Sequence, residues 1–420
     1  MGYTESMRHR AAALLTALLA GLLAIPAARA AAAPALTRSL NLGMTQAGVY
    51  SGTEVADLSI GRVIYRHNAD VPRLPASVNK LFTTSTLLAR FGAGARLATS
   101  VLGVGHLAGS TYDGSLYLRG GGDPTFGSAG FDYRAYGTGA TVGQLVSGLR
   151  RAGIRRLNGA IVGDGSWFDS DRGTPATGNH PSIDVEGDLG GLTFNRGWAN
   201  ATGSAYVSQP AVQAAQQLAS ALRGAGVALP RHLRVRAGRA PAGATTLARA
   251  ASPTMATLVG LTNTPSDNFF AETLLKDLGA RYGSGGRTAA GAALVRSEMA
   301  QSFGIHPYMN DGSGLSRADR TTPEQVVTLL SAQANDAPFA NSLAVAGRTG
   351  TLVDEMRGTV AQGRCRGKTG TLHDVSNLVG YCTARDGHTL AFAVMMNGVI
   401  PDAAHPIQNR MVQAIAGYDG

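Results

Sequence analysis

Residues 96–250 interrupt this chain. On either side of them, helices with one apolar face alternate with strongly apolar strands. Between those limits short strands dominate, at 97–103, 115–119 and 160–162, with many glycines and two amphipathic helices at 141–152 and 212–224. The outer parts carry the sheet. Strands at 48–50, 55–58 and 63–66, the last two joined by Ser59-Ile60-Gly61, read as a hairpin region. It feeds a helix over 77–91, stopped by Gly92-Ala93-Gly94. Helices return at 254–263, 268–278, 289–303 and 323–335, followed by strands at 364–372, 377–384 and 390–397 and a closing helix at 407–416. The expected fold is α/β of the α+β kind: a sheet flanked by helices, formed by 34–95 and 251–420, with 96–250 inserted as an α+β region with its own small core.

Residues 1–33 read as a secretory signal peptide. Arg8 and Arg10 precede an apolar run over 11–25, and Pro26 with Ala28-Arg29-Ala30 supplies a break and a small-x-small cleavage pattern. No later run approaches the roughly 18 apolar residues of a membrane span. The expected location is therefore the cell envelope or the exterior, with no transmembrane segment in the mature chain. The formal net charge is +10, which would draw an exported protein to anionic polymers such as cell-wall glycans or lipid headgroups. Nucleic acid is not the expected partner, because no Lys/Arg cluster or RNA-binding signature occurs.

Only three of the 37 basic residues are lysine: Lys80, Lys276 and Lys368. Arginine has been favoured almost everywhere. Arginine cannot give up its proton, whereas a lysine amine can be tuned to do so. Lys80 stands three residues after Ser77, within Pro75-Ala76-Ser77-Val78-Asn79-Lys80. On a helix those two side chains share a face. A helix start also favours developing negative charge on the serine. If burial keeps the amine neutral, Ser77 is an activated nucleophile and Lys80 its base. The plain alternative is a serine cap beside a solvated lysine.

Two further short signals follow. Ser266-Asp267-Asn268 opens a helix, so a hydroxyl and an amide two residues apart can face a bound peptide while Asp267 points away. Ser266 is equally a good N-cap. Lys368-Thr369-Gly370 lies on a strand whose glycine marks close approach of another backbone. A cationic Lys368 and the Thr369 hydroxyl suit a carboxylate, and strand amides past Gly370 suit an extended peptide. Gly347-Arg348-Thr349-Gly350-Thr351 nearly repeats this motif twenty residues earlier, but with arginine for lysine. The earlier copy is expected to be a loop.

Ser-x-x-Lys, Ser-Asp-Asn and Lys-Thr-Gly in this order are the motif set of penicillin-binding proteins and class A β-lactamases. With Gly120 to Pro124, Gly159 to Asp164, Ala271-Glu272 and Asp311 to Ser316 beside them, the chain resembles the class C low-molecular-mass penicillin-binding proteins, the D-alanyl-D-alanine carboxypeptidase/endopeptidases of peptidase family S13. The resemblance implies a β-lactamase/transpeptidase-like antiparallel sheet flanked by helices, with the insertion between the first and second motifs. It implies attack by Ser77 on the bond between two terminal D-alanines of a peptidoglycan stem peptide, with Lys80 as base. Ser266, bridging Lys80 and Lys368, would pass the proton to the leaving amine. Backbone amides of Ser77 and Thr371 would form the oxyanion hole. Asn268 would hold the peptide, and Lys368, Thr369 and Gly370 its terminal carboxylate. β-Lactams would acylate Ser77 as covalent inhibitors. Asp164 would pair with a free amine on the substrate side chain, or be a turn aspartate. Asp311 to Ser316 would line the site wall. No cofactor or metal is implied.

A two-residue turn at His373-Asp374 would place Cys365 directly across adjacent strands from Cys382. An oxidising compartment permits a disulfide there, worth about 3 kcal/mol by loop entropy. The rival readings are a β-lactamase-like hydrolase, disfavoured by the long insertion, and a non-catalytic wall-binding module, disfavoured by three intact motifs. Neither Gly-x-Ser-x-Gly nor His-Glu-x-x-His occurs.

Overall fold

The computed structural model describes residues 25–420, with side chains from Ala35 onward. Most of the expected leader therefore lies outside the described residues. The first strands are β1 (Gly52–Asp57) and β2 (Arg62–His67). The middle of the chain supplies β3 (Ala98–Ala108), β4 (Thr111–Arg119), β5 (Arg156–Asn158), β6 (Ile161–Asp164), β7 (Val235–Ala237) and β8 (Thr245–Ala251). The end supplies β9 (Ala344–Val345), β10 (Cys365–Leu372), β11 (Val375–Thr383) and β12 (Thr389–Asn397).

The two ends of the chain meet in one antiparallel sheet, ordered β2-β1-β12-β11-β10-β9. Side chains alternate across a strand, so central β11 feeds two cores. Val379 and Tyr381 pack with Leu81, Phe82, Leu274 and Val326, on the side of helices Lys80–Phe91, Asn268–Tyr282 and Pro323–Gln333. Leu378 and Cys382 pack with Leu40, Met44, Met411 and Ile415, on the side of helices Ile25–Ala47 and Pro401–Ala416.

The strand expected at 48–50 is absent. Gly48, with φ +81°, ends the helix Ile25–Ala47, and Val49 and Tyr50 stay exposed. Leu36, Leu40 and Met44 recur every four residues, a helical stripe. That spacing was the sequence signal for this helix.

A second sheet is built from the inserted stretch, its last strand running one residue past the expected limit, ordered β7-β6-β4-β3-β8, with β5 beside β4. Strands β3, β4 and β8 pair antiparallel, whereas β5, β6 and β7 join in parallel. Helices Val142–Arg151 and Pro210–Gly224 cover it, with Val101, Leu116, Leu145, Leu149 and Leu218 in a separate core. A capping box between Thr141 and Gln144 starts the first of these helices. Largely irregular chain then returns to the first unit, where Val185 and Leu189 are buried in its core.

Candidate active site

Ser77 sits in a 3-10 turn, Ala76–Asn79, that runs straight into the helix Lys80–Phe91. Three contacts hold this turn. Asn377 on β11 donates from Nδ2 to the carbonyls of Leu74 and Pro75, at 2.9 and 2.8 Å. Gly370 on β10 lies so close that a Cβ there would stand 2.6 Å from the Pro75 oxygen. Gly314, at φ +87°, would bring a Cβ to 1.8 Å from the Ala76 oxygen. The close approach expected from a glycine in the Lys-Thr-Gly strand is thus an approach to the nucleophile's own turn.

Lys80 is fully buried. Its Nζ donates to Ser77 Oγ at 2.8 Å, to Asn268 Oδ1 at 2.6 Å and to the Ser313 carbonyl at 2.9 Å. Burial lowers its pKa to about 8, against the opposing pull of Glu272, Asp311, Asp267 and Glu186. Ser77 itself is partly exposed, whereas the Lys80 amine beside it is dry.

Ser266, at φ +67°, occupies the turn between helices Met255–Asn263 and Asn268–Tyr282. Lys368, also fully buried, donates from Nζ to Ser266 Oγ at 2.7 Å and to the Thr369 carbonyl at 2.9 Å. Burial, and then the charge of Lys80, holds the Lys368 amine well below the ordinary lysine range. The expected bridge of Ser266 between two lysines is half formed: its hydrogen bond is to Lys368, and among the described residues Lys80 bonds Asn268 instead. Asp267, not Ser266, caps the helix, accepting from the Phe270 amide at 2.9 Å.

Strand β9 pairs β10 only at Arg366 and Gly367. From Thr369 to Leu372 the outer edge of β10 is unpaired in the described sheet, and Thr371 is exposed. An extended ligand can pair there. The near-repeat of the motif forms a 3-10 turn, Gly350–Leu352. Thr351 in that turn shares a 3.0 Å hydrogen bond with the Thr369 hydroxyl. The expected disulfide is present between Cys365 and Cys382, which are direct partners in the β10/β11 register.

The structure removes Asp164 from the site. Its carboxylate is buried on β6, accepting from the Ser166 amide at 3.0 Å and the Ala240 amide at 2.9 Å, with Arg119 beside it. The side chain has no exposed surface, so it is not presented to a substrate amine in this structure. It is the turn aspartate of the alternative reading.

Two sets of residues at the site were not assigned from sequence. Glu272 is fully buried four residues after Asn268, the helical spacing that puts it on the same face. Its Oε1 accepts from the amides of Gly312 and Ser313 at 3.0 and 2.7 Å, which aims the Ser313 carbonyl at Lys80. Burial raises its pKa to about 8. Neighbouring Asp311 holds the amides of Gly314 and Ser316, and burial pushes Asp319 up to about 10. The other set comes from the inserted stretch. Arg196 pairs with Asp267 and donates to the Tyr136 hydroxyl at 2.7 Å. The Asp184 carbonyl accepts from Asn268 Nδ2 at 2.7 Å, and Glu186 accepts from the Asn268 amide at 3.3 Å. The inserted chain therefore grips the Ser-Asp-Asn turn directly.

A serine hydroxyl on a buried amine, a second hydroxyl on a second buried amine and a free strand edge between them make up a serine acyl-transfer site. The whole chain agrees with it. Residues 37–186 and 181–418 match the model of the D-Ala-D-Ala carboxypeptidase 3 (S13) family, and the protein belongs to that family. It is 29% identical over 98% of its length to a D-alanyl-D-alanine carboxypeptidase of Actinomadura sp. (strain R39), covering 91% of that protein. It is 30% identical over 83% of its length to a carboxypeptidase of Mycobacterium tuberculosis, covering 76% of that one. Among solved structures it resembles penicillin-binding protein 4 of Haemophilus influenzae in fold, with a TM-score of 0.72 at 20% identity, over 90% of this chain and 98% of the other.

Proposed function

We propose that this protein is an exported serine-type D-Ala-D-Ala carboxypeptidase of peptidoglycan stem peptides, with D,D-endopeptidase cleavage open to the same chemistry. The observation that carries this is the 2.8 Å contact between Ser77 Oγ and a fully buried Lys80 amine whose pKa is lowered to about 8. In its neutral form Lys80 takes the Ser77 proton as Oγ bonds to the penultimate D-alanine carbonyl carbon. The amides of Ser77 and Thr371 receive the oxyanion, a contribution typically worth several kcal/mol. Ser266, hydrogen-bonded to Lys368, hands its proton to the departing amine as the C–N bond breaks and takes in exchange the proton that Lys80 received from Ser77, which returns Lys80 to its neutral form. Lys368 and Thr369 hold the terminal carboxylate beside Gly370, and Asn268 steadies the peptide. Water then attacks the acyl carbonyl carbon as neutral Lys80 takes its proton; the bond to Ser77 Oγ breaks and Lys80 returns that proton to Oγ, freeing Ser77. A β-lactam follows the first half and leaves slowly. The separate core of the second sheet supports assigning 34–95 and 251–420 to the catalytic domain and 96–250 to an inserted one, with Leu97, Val185 and Leu189 of the latter packing into the core of the former.

The test is release of D-alanine from a stem pentapeptide alongside labelling by a fluorescent penicillin. The native protein is expected to do both, and Ser77→Ala neither. Full labelling of Ser77→Ala would overturn the assignment. Rapid turnover of nitrocefin with no D-alanine release would favour a β-lactamase. Lys80→Arg is expected to abolish acylation although the charge is kept, because arginine cannot act as the base.

A further inference from the structure

The inserted region carries a basic groove whose lining includes none of the residues assigned to catalysis. One hollow, of about 690 Å³, lies between helices Val142–Arg151 and Pro210–Gly224 and is rimmed by Arg150, Arg151 and Arg155. A second, of about 730 Å³, is rimmed by Arg96, Arg151 and Arg249. They share Gly143, Ser147 and Arg151, so the two adjoin along the exposed face of one helix as a shallow, open channel. No aspartate or glutamate lines either hollow, and none of the five arginines is in an ion pair among the described residues. All five side chains are exposed. The floor is small: Gly143, Ser147, Ala221, Gly224 and Ala225, and a Cβ at Gly224 would meet nothing within 4 Å.

A helix C-terminus attracts basic residues, which accounts for Arg150 and Arg151 in the last turn of Val142–Arg151. Arg155, just past that helix, donates to its Arg150 carbonyl at 2.6 Å, and Arg96 donates to the Ser252 carbonyl at 2.7 Å, so each keeps its charge without an acidic partner. The helix end does not account for Arg96 and Arg249, which two other segments bring to the same channel. Five unpaired cations around a concave path repel one another unless an anion lies among them. Each guanidinium fork matches two oxygens of a phosphate. A phosphodiester chain offers two such oxygens and one permanent charge per repeat. A membrane surface offers the same phosphate oxygens, and the vesicle arm of the test separates it from the polymer. A carboxylate polymer loses its charge in acid.

We propose that this channel binds a linear phosphodiester polymer of the cell envelope and thereby docks the enzyme beside its substrate. The site is separate from the acyl-enzyme chemistry, so the two readings fail independently. The test uses the full chain and purified poly(glycerol phosphate), with binding followed at several salt concentrations. Replacing Arg151, Arg155 and Arg249 by glutamine is expected to weaken binding at least about tenfold and to flatten its salt dependence. A control in which Arg62, Arg385 and Arg410 become glutamine has the same net charge and is expected to bind like the native protein. Penicillin labelling stays unchanged in both, which reports that both are folded. Equal loss in the two variants would overturn the proposal, since general charge would then explain binding. So would equally tight binding of polyglutamate, or binding to phosphatidylglycerol vesicles without binding to the polymer.

Discussion

The role proposed for Lys80 depends on what surrounds it. An amine with an ordinary lysine pKa would be protonated at neutral pH and useless as a base. Burial brings it to about 8, so roughly a tenth of molecules carry the neutral amine at pH 7 and half at pH 8. Acylation by a β-lactam, measured under limiting antibiotic, should therefore climb about tenfold per unit below pH 8 and level off above it. A rate flat from pH 5 to 9 would contradict Lys80 as the base. Glu272 has a different task. Its Oε1 satisfies two buried amides of the wall that holds Lys80. Glu272→Ala strands both, at about 1–3 kcal/mol for each lost acceptor. Glu272→Gln keeps the carbonyl and should retain most of the stability and the labelling. Urea unfolding of the two variants separates these outcomes.

At the scale of elements, the strand β10 and the Ser77 turn act as one unit. Gly314 makes the turn possible from one side and Gly370 from the other. Gly314→Ala puts a methyl group into the Ala76 carbonyl, with overpacking that costs about 1–3 kcal/mol and displaces Ser77. Penicillin labelling should fall more steeply than the melting temperature does. The disulfide braces the far end of the same strand. Reducing it, or replacing both cysteines by alanine, should destabilise the protein by about 3 kcal/mol while the acylation rate of the folded fraction stays close to native. The pairing of Cys365 with Cys382 followed from a turn and a count along two strands, which needs only local register. Helix Ile25–Ala47 was missed because its start lies in the segment read as a leader, although Leu36, Leu40 and Met44 carried the helical period.

At the scale of the whole molecule, the insertion does more than hang from the catalytic unit. Arg196 reaches from it to Asp267 inside the second motif, and both side chains are largely buried. Arg196→Met should cost about 3–5 kcal/mol by leaving Asp267 unpaired. It should also loosen Asn268, so that kcat/KM for the pentapeptide falls further than the loss of stability explains. A double-mutant cycle with Asp267→Asn checks the coupling; additive effects would show that the two sides act separately. The motifs, their order, the pairing of Ser77 with Lys80 and the interrupted sheet could all be read from the sequence alone, because each depends on short spacing, residue chemistry or strand periodicity. Lys80 and Lys368 stood out through the rarity of lysine in this chain. The burial of those amines, the grip of Arg196, Asp184 and Glu186 on the second motif, the buried acids under the wall and the exclusion of Asp164 were decided only by the tertiary structure. Those properties arise where segments distant in sequence pack together, and no local pattern encodes which carboxylate is left facing a cleft and which is sealed by backbone amides.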